Sequence, residues 1–395
     1  MREKVILFLK NHPSIVKFAW DMARLVMTVW GWFVPVREKT MIFCSFGGRS
    51  FNDSPKALYD EICKKTYFDG WRLIWAFVNP DSFIIPRGDK VKVDTLAFFK
   101  ALLYSRVWVS NSGMDRGIET RRKNIIRVET WHGTPLKKIC GEENQTGIVK
   151  SAETYKGKID NDTIRCAQSE FDREIFVRIF HASQEAVLLC DLPRNDELLK
   201  YSDKDVKTIR ERLGIEENIK VILYTPTYRE YLINDANDTY IAPPINLGKW
   251  KEKLGKDYVL LIRAHYAVTA ALSLKDDGFI KDVSGYPSIN DLYAVADMMI
   301  SDYSSTFFDY SILNRPMFCF AYDLKEYEEK RGLYLNINDA LPCKVDKDED
   351  SLIDDILNVD LDVAKHKTEI FHKKYAPYAG NACEVIINKI LERLN

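Results

Sequence analysis

Two hydroxyl-rich segments, Ser301-Asp302-Tyr303-Ser304-Ser305-Thr306 and Thr130-Trp131-His132-Gly133-Thr134-Pro135, each follow a short apolar run that reads as a strand, Met298 to Ile300 and Ile125 to Val128. The first also opens a helix-like stretch, Phe307 to Leu313. In open α/β sheets ligands sit beyond the carboxyl ends of the strands, and a helix start there turns backbone N–H groups towards anions. Hydroxyls, glycine and histidine at two such places point to a phosphate-containing ligand and to catalysis rather than a scaffold. His132 lies in a Gly-Thr-Pro turn, and an imidazole titrating near neutrality suits removal of a proton from an attacking hydroxyl. His265, two residues after Arg263, offers a donor beside a fixed cation, a pair that suits a diphosphate whose leaving group gathers charge. Ser304 and Ser305 serve either as helix N-caps or as phosphate contacts, because both use the same N–H groups. Asp309 either complements the helix dipole or holds a sugar hydroxyl. Pro193-Arg194-Asn195-Asp196 reads as a turn whose arginine stays in water or reaches a phosphate.

The elements that must position these residues alternate. Met41 to Ser45 reads as a strand, Ser54 to Lys65 as a helix, Leu73 to Phe77 as a strand, Leu96 to Tyr104 as a helix and Val107 to Ser110 as a strand. After Pro193 the rhythm restarts with a helix-prone Asp203 to Leu213 and strands at Val221 to Tyr224, Val259 to Ile262, Ile280 to Val283, Met298 to Ile300 and Met317 to Phe320. An amphipathic helix, Ala382 to Leu394, closes the chain, and Asn234 to Pro244 reads as an exposed loop. Strands separated by helix-length segments argue an α/β fold of parallel sheets covered on both faces. With 395 residues, two such domains facing a cleft are expected. The boundaries fall at 1–37, 38–195 and 196–395, with the last helix packing back on the earlier domain.

The net charge of −1 excludes a chain built as a whole for polyanions such as nucleic acid. Locally, Arg116, Arg121, Arg122, Lys123, Arg127, Lys137 and Lys138 face only Glu119 and Glu129, a solvated basic face or a seat for an anionic ligand or lipid headgroup. The eight cysteines form no C-x-x-C pair and read as reduced thiols. No P-loop, G-x-G-x-x-G, H-E-x-x-H or G-x-S-x-G pattern occurs, no carboxylate flanks Asp302 at a metal-ligand spacing, and neither a metal nor a cofactor is expected. No signal peptide is recognised. In Ser14 to Val36, Lys17, Asp21, Arg24 and Thr28 form one narrow polar stripe among apolar residues that include Trp20, Trp30, Trp32 and Phe33. The charge-free run, Leu25 to Val36, is short of the roughly 20 residues a spanning helix needs. The segment reads as an interfacial helix on an anionic membrane, or as an ordinary core helix.

Taken in order, these motifs resemble a family. Phe46-Gly47-Gly48-Arg49-Ser50 with Asp53-Ser54-Pro55, Trp131 to Lys137, Pro193 to Asp196, Thr225-Pro226-Thr227-Tyr228-Arg229, Arg263-Ala264-His265, and Ser301 to Asp309 followed by Asn314-Arg315-Pro316 are similar to the CDP-glycerol glycerophosphotransferases of teichoic acid synthesis. The resemblance implies a GT-B fold, with the donor on the C-terminal domain and the acceptor on the N-terminal one. It implies transfer of glycerol or ribitol phosphate from CDP-glycerol or CDP-ribitol to a hydroxyl of an undecaprenyl-diphosphate-linked saccharide. CMP would leave, at the cytoplasmic face of a bacterial membrane. His132 and His265 match the catalytic positions. Trp131, Gly133, Thr134, Pro135, Arg194, Pro226, Thr227, Arg229, Arg263, Ala264, Ser304, Ser305 and Asp309 match substrate contacts. Tyr266 stands where the family often has proline, and Leu192 replaces a commoner glycine-aromatic lead. Both bear on substrate detail.

Overall fold

The computed structural model describes residues 13–116, 118, 122, 124–144, 163–229, 242–264, 268, 269, 272, 274 and 276–395. The chain divides into two compact units, one of Met1–His132, Gly157–Cys166 and Ile386–Asn395, the other of Gly133–Lys156 and Ala167–Val385.

In the first unit, helix α1 (Pro13–Phe33) precedes β1 (Arg37–Cys44), α2 (Asp53–Lys64), β2 (Arg72–Phe77), β3 (Asp89–Lys92), α3 (Leu96–Tyr104), β4 (Ser105–Ser110), β5 (Ile126–Glu129) and β6 (Thr163–Ala167). These strands lie side by side, all parallel, in the order β3-β2-β1-β4-β5-β6. Met41, Ile42, Phe43 and Cys44 are all buried, as the continuous apolar run requires of a strand covered on both faces. On one face Ile42, Cys44, Ile74 and Ala76 meet Phe98 and Leu102 of α3 and Met27 of α1. On the other, Phe43, Trp75 and Phe77 stack and Tyr59 of α2 meets Phe43 and Trp75 edge-on, an aromatic layer with centroids 5.4–5.6 Å apart. Strand β3 lacks the apolar signal because it is an edge. Asp89, Lys90 and Lys92 are exposed, as charges on an edge strand should be.

Helix α1 buries Met27 against that core yet leaves Phe18, Leu25, Val26, Trp32 and Phe33 between 54% and 78% exposed. Among the described residues, no helix is long and apolar enough to cross a membrane. Within the basic stretch, Arg116 pairs with Asp94, Arg122 donates to the Leu103 carbonyl, and Arg127 lies over the Trp108 ring.

The second unit holds α4 (Glu170–Ile179), a short β7 (Val187–Leu189), α5 (Asp203–Arg212), β8 (Lys220–Thr225), β9 (Tyr258–Ile262), β10 (Ile280–Asp282), α6 (Ile289–Val295), β11 (Met298–Ser301), α7 (Thr306–Ser311), β12 (Met317–Phe320), β13 (Val345–Asp346) and α8 (Leu361–Tyr375). The final helix, α9 (Ala382–Leu394), joins the first unit from Ile386 onward. Its sheet is parallel in the order β10-β9-β8-β11-β12-β13. Strand residues alternate between two cores: Val221, Leu223, Val259, Leu261 and Met299 on one face, Ile222, Tyr224, Leu260, Ile262, Met298 and Ile300 on the other. Both strand sets repeat one order, in which the first strand lies beside the fourth and the winding reverses between them. That reversal is the topological switch point where α/β sheets receive ligands. It falls between β1 and β4 in one sheet, and between β8 and β11 in the other.

Helix α7 starts at Thr306 and ends at Ser311, earlier than the apolar run to Leu313 implies. Leu313 N bonds Tyr310 O and Asn314 N bonds Ser311 O, three-residue steps that tighten the chain out of the helix.

Candidate active site

At the β1/β4 switch point the backbone after β4 is organised by Asn111. Its Oδ1 accepts from Phe46 N at 2.8 Å, and its Nδ2 donates to Asp53 Oδ1 at 3.0 Å. Gly47 N donates to Ser112 Oγ at 3.0 Å, so the glycine turn after β1 is fastened to the end of β4. His132 arrives from β5, and its Nδ1 lies 2.9 Å from the Asn111 carbonyl oxygen. A carbonyl only accepts, so the hydrogen is on Nδ1 and the lone pair of the neutral ring is on Nε2. The ring is exposed, stacks on Trp131 at 4.4 Å and meets the edge of Phe46 at 6.0 Å. Trp131 holds φ +57°, a conformation a bulky residue rarely adopts and one that tends to occur where function demands it.

In the second unit, Gly133 has φ +146°, and a Cβ there would collide with Ser305 Oγ and lie 3.7 Å from Arg194 Nη2. Thr134 and Pro135 follow, both buried. Arg194 Nη2 donates to Asp309 Oδ2 at 2.6 Å, and Asn195 Nδ2 and Gln168 Nε2 reach Asp309 Oδ1 at 3.0 and 3.3 Å. Asp309 is therefore turned inward as the anchor of Arg194. Asn195 Nδ2 also reaches Asp191 Oδ1 at 3.0 Å, and Asn290 Nδ2 holds the Arg194 carbonyl at 2.6 Å. Burial pushes Asp191 up to about 7, against bonds from Leu192 N and Asn195 and with Asp309 adding to the rise.

At the β8/β11 switch point Thr225 and Ser301 are register partners, and Thr225 Oγ1 lies 3.0 Å from Ser301 Oγ. Pro226 is buried, and Thr227 N donates to Asp302 Oδ1 at 3.0 Å. Arg229 lies inward, only 4% exposed, bonded to Asp302 and bidentate on Asp323. Its guanidinium is thus committed to holding the Thr227 loop, a use the motif alone does not disclose. Arg263 Nη1 donates to Tyr286 O at 2.6 Å, and Ala264 N to Ser284 Oγ at 3.0 Å, both past the end of β9. Ser304 and Ser305 are half-buried at the start of α7. Ser304 Oγ accepts from Thr306 N at 3.2 Å, and Ser305 makes no side-chain cap bond.

The second unit thus gathers Gly133, Thr134, Arg194, Ser305 and Asp309 around one buried cluster, and Thr227 with Arg229 around another. His265 and most of the Asn234-to-Pro244 loop lie outside the described residues. Gln168, Asp172 and Asp191 escape the sequence reading. The first two sit where β6 meets α4, a strand of only five residues (Thr-Ile-Arg-Cys-Ala) with a single strong apolar position.

These features define an α/β protein with two doubly wound parallel sheets. Its structure is similar to that of the wall teichoic acid polymerase TagF, with a TM-score of 0.83, 30% identity and coverage of 100% of this chain and 98% of that one. TagF has also been solved as a histidine variant soaked with CDPG. At the level of fold alone, UDP-GlcNAc 2-epimerase from Neisseria meningitidis is similar, with a TM-score of 0.56, 12% identity, and 89% and 100% of the two chains covered. In sequence, the chain is 35% identical over 338 residues to the teichoic acid poly(glycerol phosphate) polymerase of Staphylococcus epidermidis, covering 82% of this chain but spanning about half (46%) of that relative's length. It is 31% identical to the teichoic acid glycerol-phosphate transferase of Staphylococcus aureus, with 90% of this chain and 93% of the relative covered. The model of the CDP-glycerol:poly(glycerophosphate) glycerophosphotransferase family matches residues 26–392, and the chain belongs to that family.

Proposed function

We propose that the chain transfers glycerol phosphate from CDP-glycerol, or ribitol phosphate from CDP-ribitol, to a hydroxyl of a lipid-linked saccharide on an undecaprenyl diphosphate. The observation that carries this reading is the Asn111–His132 bond, which leaves the basic lone pair of the neutral ring on Nε2. In the reaction, the acceptor oxygen attacks the phosphorus that bears the polyol, and His132 takes the hydroxyl proton. The bond from that phosphorus to the bridging oxygen breaks, and CMP leaves with the electron pair. Positive charge at Arg194 and Arg263, N–H groups at Ser304 and Ser305, and His265 are assigned to the leaving diphosphate oxygens. A GT-B arrangement, with the donor on residues 196–395 and the acceptor on 38–195, accompanies this reading and is supported by the likeness to TagF.

The acceptor is a lipid, and the exposed apolar residues of α1 support a seat at the membrane interface on the cytoplasmic face. Replacing Trp32 and Phe33 together by serine is expected to reduce co-sedimentation with anionic vesicles. Undiminished binding would move the contact elsewhere.

The deciding experiment is product analysis with CDP-glycerol, CDP-ribitol and UDP-sugars, each with a lipid-linked disaccharide. CMP release with one CDP-polyol is expected. His132→Ala should cut it by roughly 10²- to 10⁴-fold while donor binding persists. UDP released from a nucleotide sugar, without CMP, would overturn the reading in favour of glycosyl transfer.

A further inference from the structure

Thr134 stands two residues after His132 and is buried. Its N–H donates to Gln168 Oε1 at 3.1 Å, which fixes the oxygen end of that amide; the nitrogen end faces Asp309 Oδ1 at 3.3 Å. Thr134 Oγ1 lies 2.9 Å from Gln168 Oε1 and 3.0 Å from Asp172 Oδ2. The threonine hydroxyl carries one hydrogen and the amide oxygen none, so an ionised Asp172 leaves that hydrogen shared between two acceptors, whereas a protonated Asp172 satisfies both contacts. Asp172 Oδ1 is buried with only the Ser169 hydroxyl to answer it, and no well-formed bond joins them, a condition a neutral carboxyl bears more cheaply than an ionised one. A first-turn acid that caps α4 would explain the bond from Gln168 N to Asp172 Oδ2 at 3.0 Å, but not the contact with Thr134.

We propose that Gln168 and Asp172 act together as proton-dependent positioning residues, holding the Gly133–Thr134 backbone beside Arg194 while Asp172 keeps its hydrogen. The proposal rests on the transfer reading above. Gln168 is the link: one end of its amide grips Thr134, the other grips Asp309, and Asp309 holds Arg194. When Asp172 loses its proton, Thr134 Oγ1 is left between two acceptors, and a second negative charge appears near Asp309. Burial pushes the Asp172 carboxyl up to about 7, against bonds from Gln168, Thr134 and Ser169 and with Asp309 adding to the rise. The other charged and titratable groups of the cluster are Arg194, paired with Asp309, and Asp191.

The test follows kcat/KM for CDP-glycerol across pH from about 6 to about 9 in the wild type and in Asp172→Asn. The wild type should fall about tenfold per pH unit above the Asp172 titration. Asp172→Asn should lack the falling limb; a limb that persists overturns the proposal. Gln168→Glu sets an oxygen against Asp309 and should lower kcat/KM about ten- to hundredfold. Unchanged kinetics in a folded Gln168→Glu would also overturn it. Infrared difference spectra read the proton without turnover: a carboxylic-acid band in the wild type at neutral pH should be missing in Asp172→Asn, or in Thr134→Val should shift as its partner is removed. A spectrum without either change sinks the positioning pair, whereas wild-type protein that releases no CMP from any CDP-polyol sinks the transfer reading instead.

Discussion

Arg229 and Arg194 are both buried in the second unit, 4% and 9% exposed, and each is paired with an aspartate from the segment that follows β11. Arg229 has Asp302 at 2.9 Å, both oxygens of Asp323 at 2.7 and 2.9 Å and the Thr227 carbonyl at 2.6 Å, with Tyr303, Tyr322 and Tyr327 rings around it at 4.9–5.2 Å. Arg194 pairs with Asp309 in the company of two further buried acids, Asp172 and Asp191. In that neighbourhood Asp172 Oδ1, Asp191 Oδ2, Asn195 Oδ1 and Asn290 Oδ1 are buried with no hydrogen-bond partner among the described residues. Natural interiors leave few such atoms, and a group of them needs a reason. The first cluster is what a fastening looks like, with each charge answered. The second gathers three buried acids around one arginine and leaves amide oxygens unanswered, the condition of a place that handles a ligand or a titration.

Substitution should separate the two. Arg229→Met would leave Asp302 and Asp323 buried without their counter-charge, and a loss of about 3–5 kcal/mol is expected in denaturant unfolding. Arg194→Met should cost less, about 1–3 kcal/mol, because Asn195 and Gln168 still bond Asp309, while donor binding suffers more. Equal stability losses would break the comparison. Gly133→Ala ranks next. Its φ and the Ser305 contact both resist a side chain, so a loss of about 1–3 kcal/mol is expected, read as a lower thermal midpoint. A neutral Gly133→Ala would mean that Ser305 moves aside easily and that the turn is not pinned.

The sequence discloses these clusters unevenly, for physical reasons. Continuously apolar strands covered on both faces, such as Met41–Cys44 and Met317–Phe320, announce themselves, and so do the polar motifs at their carboxyl ends. Weakly apolar or edge strands do not. Strand β3 is charged because it is an edge, and β6 carries too few apolar residues to stand out, so the Gln168–Asp172 corner it delivers stays hidden. Direction is hidden as well. Thr-Pro-Thr-Tyr-Arg and Ser-Ser-Thr-Phe-Phe-Asp place Arg229 and Asp309 beside hydroxyls, yet both side chains turn inward, because partners distant in the chain (Asp323 for one, Arg194 for the other) wait there. Spacing along a chain reports which residues share a loop, whereas ion pairs across more than ninety positions are set only by tertiary packing.

A pH profile of stability sharpens the contrast most directly, because it concerns protons alone. Asp191 is held up to about 7 by burial, whereas an unfolded aspartate titrates near 3.9. Its folded form therefore keeps a proton that the unfolded chain has already given up between those values. Over that window the folded state binds more protons, so stability falls as pH rises, by at most about 1.4 kcal/mol per pH unit for each such group. Asp172 behaves in the same way. Thermal midpoints of the wild type should therefore decline from about pH 5 to about pH 8. Asp191→Asn, which cannot ionise, should flatten the curve by one proton's share without touching the Arg229 cluster. If its slope matches the wild type, Asp191 is already ionised in the fold. Its orphaned oxygen would then need a donor, and the Arg194 cluster would be as fully answered as that of Arg229.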